Sequence, residues 1–375
     1  MAPLIPYARQ SIAPEDVASV ARVFDGDWLS TGPFVSEFED EIESVAQAPA
    51  VAVTSGTAAR HTAYAAVGVG PGDVVVTTPL TFVATASTAA LLGAKIVFAD
   101  VDPRTGLMSP EALSHVVTER TRVVAAVDYA GVPADYDALR AVIPDRTILL
   151  DDAAHSIGAL RAGRHVGTLA DVTTFSFFAT KNITTAEGGA VVSEDEQVID
   201  AARRFRNHGL VRDVNLMREP DVGPWHQEVH TFGLNYRLPD VLAALGTSQL
   251  RRLDTFLDRR AHLAARYRDA LAGHEHVVLP AVPDGVRPAW HLFPIRVPAT
   301  RRRSVVEFLR RRGVLVQVNY IPVYWHPVFL DLGYQRGLCP NAEAYYSSEI
   351  SLPLYVDLTE KDQDVVIELL LEALA

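Results

Sequence analysis

From residue 50 onward, short runs of β-branched and aliphatic residues alternate with stretches of helical spacing, and no other feature narrows the fold as much. VAV (51–53) precedes a helical stretch at 57–67, and DVVVTT (73–78) precedes one at 82–92. KIVFADV (95–101), RVVAAVDY (122–129) and TILLDDA (147–153) follow with helical stretches between them, and DVTTFSF (171–177) and GGAVVS (188–193) add two more runs. Strands that are apolar without alternation are covered on both faces, and strands separated by helices form a mostly parallel sheet. The spacing also predicts a helix over 14–24, which opens with proline and acids. A single long helix is expected from Pro239 to about Leu271, joining two domains. Residues 208–235 are an irregular stretch of a length that is usually either functional or disordered. HLFPIRV, a helix near 302–312, VLVQVNYI and a helix near 359–373 read as a smaller α+β unit. The expected division is therefore a large domain over 1–250 and a small one over 251–375.

Ligands in open parallel sheets bind at the carboxyl ends of the strands. Four informative segments fall there: SGT after 51–53, TPLTF after 73–78, DDAAH after 147–150 and the loop after 171–177. That loop holds Lys181. The chain has 34 Lys and Arg residues, of which only Lys95, Lys181 and Lys361 are lysines, so arginine is its usual cation. A surface charge is served equally by either residue, but only lysine can lose its proton and attack a carbonyl. Phe175, Phe177, Phe178 and Ile183 around it suggest a partly dry site, which lowers an amine's pKa.

Asp152 ends an apolar run, where an acid can cap a helix or face the ring nitrogen of a pyridine cofactor. Asp152 is preferred to Asp151 for the second role. His155, one turn later, suits the ring's phenolic oxygen, or is simply a satisfied buried histidine. Ser55–Thr57 mark a strand-to-helix junction that suits a phosphate as well as an ordinary cap. Ser176 can add a hydroxyl to that phosphate, and Phe82 can stack on a planar ring or belong to the core. HQEVH (226–230) has its glutamate in the wrong place for a helical zinc site, and GVGPG (68–72) follows a helix rather than a strand, so neither a metal nor a nicotinamide is expected.

The formal net charge of −12 argues against nucleic-acid or anionic-membrane partners. The lone Cys339 fits a reducing compartment, and no run has signal-peptide or membrane-spanning character, so the expectation is a cytoplasmic protein.

Together SGTAARHTAY, TTPLTFVATAS, LLDDAAHSIGA, TFSFFATKNITTAEGGAVV, FRNHG and FGLNYRLPDVLAALGTSQL resemble the DegT/DnrJ sugar aminotransferases. These are fold-type I, aspartate aminotransferase-like enzymes that use pyridoxal phosphate (PLP). IPYARQSI and VNYIPV look closest to UDP-4-keto-hexose 4-aminotransferases of the pseudaminic acid type. The resemblance implies that Lys181 holds PLP as a Schiff base and shuttles the proton, Asp152 pairs with the ring nitrogen and His155 with the phenolic oxygen. It also implies a phosphate seat of Gly56, Thr57 and Ser176, with Phe82 on the ring face. Asn235 would reach the phosphate of the other subunit, making the active site shared across a homodimer. Arg237, Tyr320 and His326 would contact the sugar nucleotide.

The implied reaction moves an amino group from L-glutamate to a keto-sugar, a nucleotide-linked 4-keto-6-deoxyhexose being the expected acceptor. A cyclitol or other natural-product ketone is an alternative acceptor. The related sugar dehydratases carry histidine in place of the lysine, so Lys181 argues against that chemistry. Arg60, Phe178, Ala179, Tyr324 and His326 depart from the family's usual residues.

Overall fold

The computed structural model describes residues 4–375, so Met1–Pro3 of the expected large domain lie outside the described residues. The apolar runs form one seven-stranded sheet: β1 (Ala50–Val53), β2 (Val74–Thr77), β3 (Lys95–Phe98), β4 (Thr121–Val127), β5 (Ile148–Asp152), β6 (Val172–Ser176) and β7 (Gly189–Val192). Their spatial order is β1-β7-β6-β5-β4-β2-β3. Strand β7 is antiparallel to both neighbours and the other contacts are parallel, giving a mostly parallel mixed sheet. A parallel return needs a crossover of a dozen or more residues, usually a helix. The chain between β6 and β7 folds back without one. The Phe177 amide donates to the Gly188 carbonyl at 2.8 Å, and the Thr185 amide to the Phe177 carbonyl at 3.0 Å. This pinned reversal carries Lys181 at the carboxyl end of β6.

Helices α1 (Pro14–Phe24), α2 (Pro33–Ala46), α3 (Gly56–Ala66) and α4 (Ala84–Leu91) pack around the sheet. Sequence spacing alone did not mark α2. It buries Phe38 and Ile42 completely, and each such side chain contributes about 1.5–3 kcal/mol relative to exposure. Its first turn is held by Asp240, which accepts from the amides of Gly32 and Phe34 at 2.8 and 2.9 Å.

The single helix expected over 239–271 is instead two, Asp240–Leu250 and Leu253–Leu271. Two arginines at the joint are drawn to different helices. Arg251 reaches Glu37 and Glu41 of α2 at 2.9 and 2.8 Å, while Arg252 binds the buried Asp16 of α1. Arg252 consequently leaves helical geometry, with φ −108° and ψ 5°. The first of these helices closes the core around the sheet. The second helix joins a separate apolar cluster through Leu263, Tyr267 and Leu271, packed with Phe293, Ile295 and Leu370.

That cluster surrounds a two-stranded ladder of Phe293–Arg296 with Glu349–Leu352, together with helices Ala299–Arg311 and Glu360–Leu374. Near VLVQVNYI the chain makes only isolated bridges, Val314 to Ile5 and Gln317 to Ser351. The irregular 208–235 stretch contains one short ladder, Leu210–Val211 with Glu228–Val229, which takes up the HQEVH segment. Among the described residues, no helix is long and apolar enough to cross a membrane.

Candidate active site

The carboxyl ends of β1, β2, β5 and β6 open into one cavity of about 500 Å³, and Lys181 lies in its wall. Burial pushes the lysine's pKa down to about 7, the nearby Arg60 charge pushes the same way, and Asp152 partly opposes them. A large fraction of its amine is therefore unprotonated at neutral pH, as a nucleophile toward an aldehyde requires.

Asp152 is the last residue of β5 and is buried. It receives both Nε and Nη2 of Arg60, the Thr85 hydroxyl at 2.6 Å and, at 3.3 Å, the Ala154 amide. Burial alone would raise its pKa. The Arg60 charge and these donors outweigh burial and hold the carboxyl below its usual range. Asp151 points to the opposite face, as alternation along a strand requires. There it meets Tyr136 and Asp128, away from the cavity.

His155 also lines the cavity, and its ring lies 4.4 Å from that of His291. Its Nε2 shares a hydrogen bond with the Tyr320 hydroxyl at 3.1 Å, while the buried Nδ1 has no partner. Burial, then the charges of Lys181 and Arg60, keep this imidazole neutral.

The expected phosphate seat is built by a close approach. Helix α3 begins at Gly56 under the Ser55 cap, whose hydroxyl accepts from the Ala58 amide at 3.0 Å. A Cβ on residue 56 would stand 2.6 Å from both Cβ and Oγ of Ser176, so only glycine lets the helix end approach β6. Thr57 and Ser176 then flank free amides at the positive end of the helix, a natural anion site. Phe82 is 56% exposed on the cavity wall, its ring centroid 6.5 Å from that of Tyr320. An amine, an acid, an unpartnered imidazole nitrogen and an anion cradle around one cavity fit PLP.

The family model described as the DegT/DnrJ/EryC1/StrS aminotransferase family matches residues 10–371. The chain belongs to this family. SpsC, a spore coat polysaccharide biosynthesis protein of Bacillus subtilis, is 38% identical over 372 residues, covering 97% of this chain and 95% of SpsC. Spr1654 from Streptococcus pneumoniae in its PMP form superposes with a TM-score of 0.92 at 29% identity, covering 98% of each chain. Helicobacter pylori PseC, an aminotransferase involved in the biosynthesis of pseudoaminic acid, has a TM-score of 0.92 at 28% identity, covering 99% of each chain. This protein is thus a PLP-dependent sugar aminotransferase of fold type I.

Not every expected residue of the aminotransferase meets in this cavity. Tyr320 does. Asn235 instead bridges Asn207, and Arg237 donates to the Asn207 side chain at 2.7 Å. Arg237 lines a second cleft with Arg203, Arg204 and Arg206. His326 sits at the start of a short helix, Pro327–Asp331, outside the walls of the Lys181 cavity.

Three wall residues were not singled out from the sequence: Tyr7 and Asn319, which lie within IPYARQSI and VNYIPV, and His291. Asn319 donates to the Tyr7 hydroxyl at 2.7 Å and to the Ser351 hydroxyl at 3.1 Å. Its amide donates at 2.7 Å to Glu349, whose pKa burial raises to about 8. A histidine placed directly before an apolar strand was the one available signal for His291. The pairing of Arg60 with Asp152 was also missed, since a residue's departure from a family pattern does not say what it touches.

Proposed function

We propose that the enzyme moves the amino group of L-glutamate to a nucleotide-linked 4-keto-6-deoxyhexose, with UDP as the first nucleotide to test. The observation that carries this reading is Lys181, a half-buried amine with a pKa near 7 in the same cavity as Asp152. When bound, PLP supplies the electron sink for the carbanion formed on the amine-bearing carbon. Lys181 holds the cofactor and then carries the proton at that carbon, which its near-neutral basicity suits in both directions. Asp152 would hold the ring nitrogen. His155 would offer Nδ1 to the ring oxygen, Gly56, Thr57 and Ser176 would hold the phosphate, and Phe82 would lie against the ring. Tyr320 stands on the acceptor side, with Arg237 and His326 as further sugar-nucleotide contacts.

Asn235 and Arg237 lie away from their own chain's Lys181, which supports a homodimer in which they serve the partner's site. The same reading assigns 1–250 to the cofactor domain and 251–375 to the small domain, and places the enzyme in the cytoplasm. PseC's involvement in pseudoaminic acid biosynthesis favours a sugar acceptor over a cyclitol.

The test is the visible spectrum of the PLP-loaded protein. Its yellow absorbance is expected to bleach on addition of L-glutamate and to return on addition of a UDP-4-keto-6-deoxyhexose. Bleaching without return would reject the acceptor, and no bleaching would reject the donor.

A further inference from the structure

One turn into α3 from the phosphate seat lies Arg60, 5% exposed. Its Nη1 donates to the Gly56 carbonyl at 2.8 Å, while Nε and Nη2 form a two-pronged grip on Asp152. A carboxylate offers about four lone-pair directions. On Asp152 the guanidinium takes two, the Thr85 hydroxyl a third at 2.6 Å and the Ala154 amide a fourth at 3.3 Å. The protein's own donors therefore take most of the acid assigned to the ring nitrogen, and the direction held by the long Ala154 contact is the one a ring N–H can share.

Arg60 cannot relieve this by losing its proton, because guanidinium stays charged in proteins. A forked arginine–carboxylate pair in a dry site is among the strongest side-chain contacts, and separating it would leave two uncompensated buried charges. The Nη1 bond to Gly56 ties the same group to the backbone of the phosphate seat. The titratable groups facing Arg60 are Asp152, Tyr64, Tyr320, Lys181 and His155. Those around Lys181 are Arg60, Asp152, His155, His291, Tyr7, Tyr320 and Glu187. Arg60 is the permanently cationic member of that group.

We propose that Arg60 is a positioning residue for the cofactor: it stays forked onto Asp152 when the ring is seated, fixes that carboxylate, and shares its charge with the ring nitrogen. The proposal rests on the assignment of Asp152 to that nitrogen. The ring then meets an ion pair of zero net charge instead of a bare carboxylate. The guanidinium also weakens proton binding at the Lys181 nitrogen, in line with its effect on the free amine.

The test is a pH titration of the visible band of the PLP-loaded protein, comparing wild type, Arg60→Leu and Arg60→Lys. Arg60→Leu should hold the band's titrating proton about tenfold more tightly, which moves the midpoint up by about one pH unit. Arg60→Lys keeps the charge without the fork and should fall between the two. In an Asp152→Asn background the Arg60→Leu shift should shrink, because part of it acts through the acid. A residue with only a structural role would not move the midpoint.

An unchanged midpoint in loaded Arg60→Leu overturns the inference and leaves the Lys181 assignment intact. No visible band in wild type overturns both. If Arg60→Leu fails to fold, a crystal structure of the loaded wild type decides. The guanidinium on Asp152 supports the proposal, and a guanidinium turned away from it overturns it.

Discussion

Asp151 and Asp152 are neighbours on β5 and equally buried, yet their surroundings drive their protonation in opposite directions. Asp152 faces a fixed cation and remains charged. Asp151 shares the Tyr136 hydroxyl with Asp128, and burial followed by that second acid's charge raises its pKa well above the normal range. A phenol has one proton to donate, and Asp128 also takes the Ala134 amide and the Ser156 hydroxyl, so Asp151 is the less well supplied of the two, its Oδ2 without a partner. Burial is common to both faces of the strand. What decides between a reactive anion and a protonated structural acid is whether the opposing helix supplies a cation.

The sharpest way to break this comparison is at the amine that the charged face serves. Lys181→Arg should abolish both the visible PLP band and transamination, because guanidinium cannot form the bond; measurable turnover in that variant would end the reading. Next comes Asp152→Asn, expected to keep the fold and lower turnover by about 10³-fold, the scale of losing one preorganised electrostatic partner in a dry site. Near-normal kinetics there would show that the charge is not needed.

A smaller effect concerns rate against pH. The rate at which cofactor-free protein captures PLP should rise about tenfold per pH unit and level off above about 7, where the Lys181 amine is free. A rise that continues toward the ordinary lysine range would show that burial does not depress this amine.

The smallest effect is on the back face, where Asp151→Asn should leave turnover nearly unchanged. The folded state raises the pKa of both back-face acids, so the pair favours folding most at low pH. That contribution declines as pH climbs through about 6, where Asp128 ionises. An amide at 151 cannot ionise, so the variant's melting temperature should gain on wild type as pH rises above the ordinary Asp range of about 4. A gap that moves against the variant with rising pH would contradict the protonated state of Asp151.

The sheet was legible because continuous runs such as VVVT and ILLDD must be covered on both faces, and that requirement acts locally. Gly56, Ser176, Asp152 and Lys181 were legible for a related reason, since each sits at a strand end where the fold delivers ligands. The break at Arg251 and Arg252 was hidden because helical spacing continues through it. The cause lies in acids on α1 and α2, more than 200 positions away in sequence. The Arg60–Asp152 pair spans 92 positions and the Tyr7–Asn319 contact 312, so no window of sequence contains either. Tertiary partners of this kind are visible only once the chain has closed.

Lys181 sits on a reversal whose two ends are tied into the same hydrogen-bonded sheet, whereas Tyr7 and Asn319 belong to segments that bridge to the smaller core. The lysine's anchorage and the far wall of the cavity therefore have separate supports. A lineage can remodel that far wall to admit a different ketone while inheriting the amine's placement unchanged.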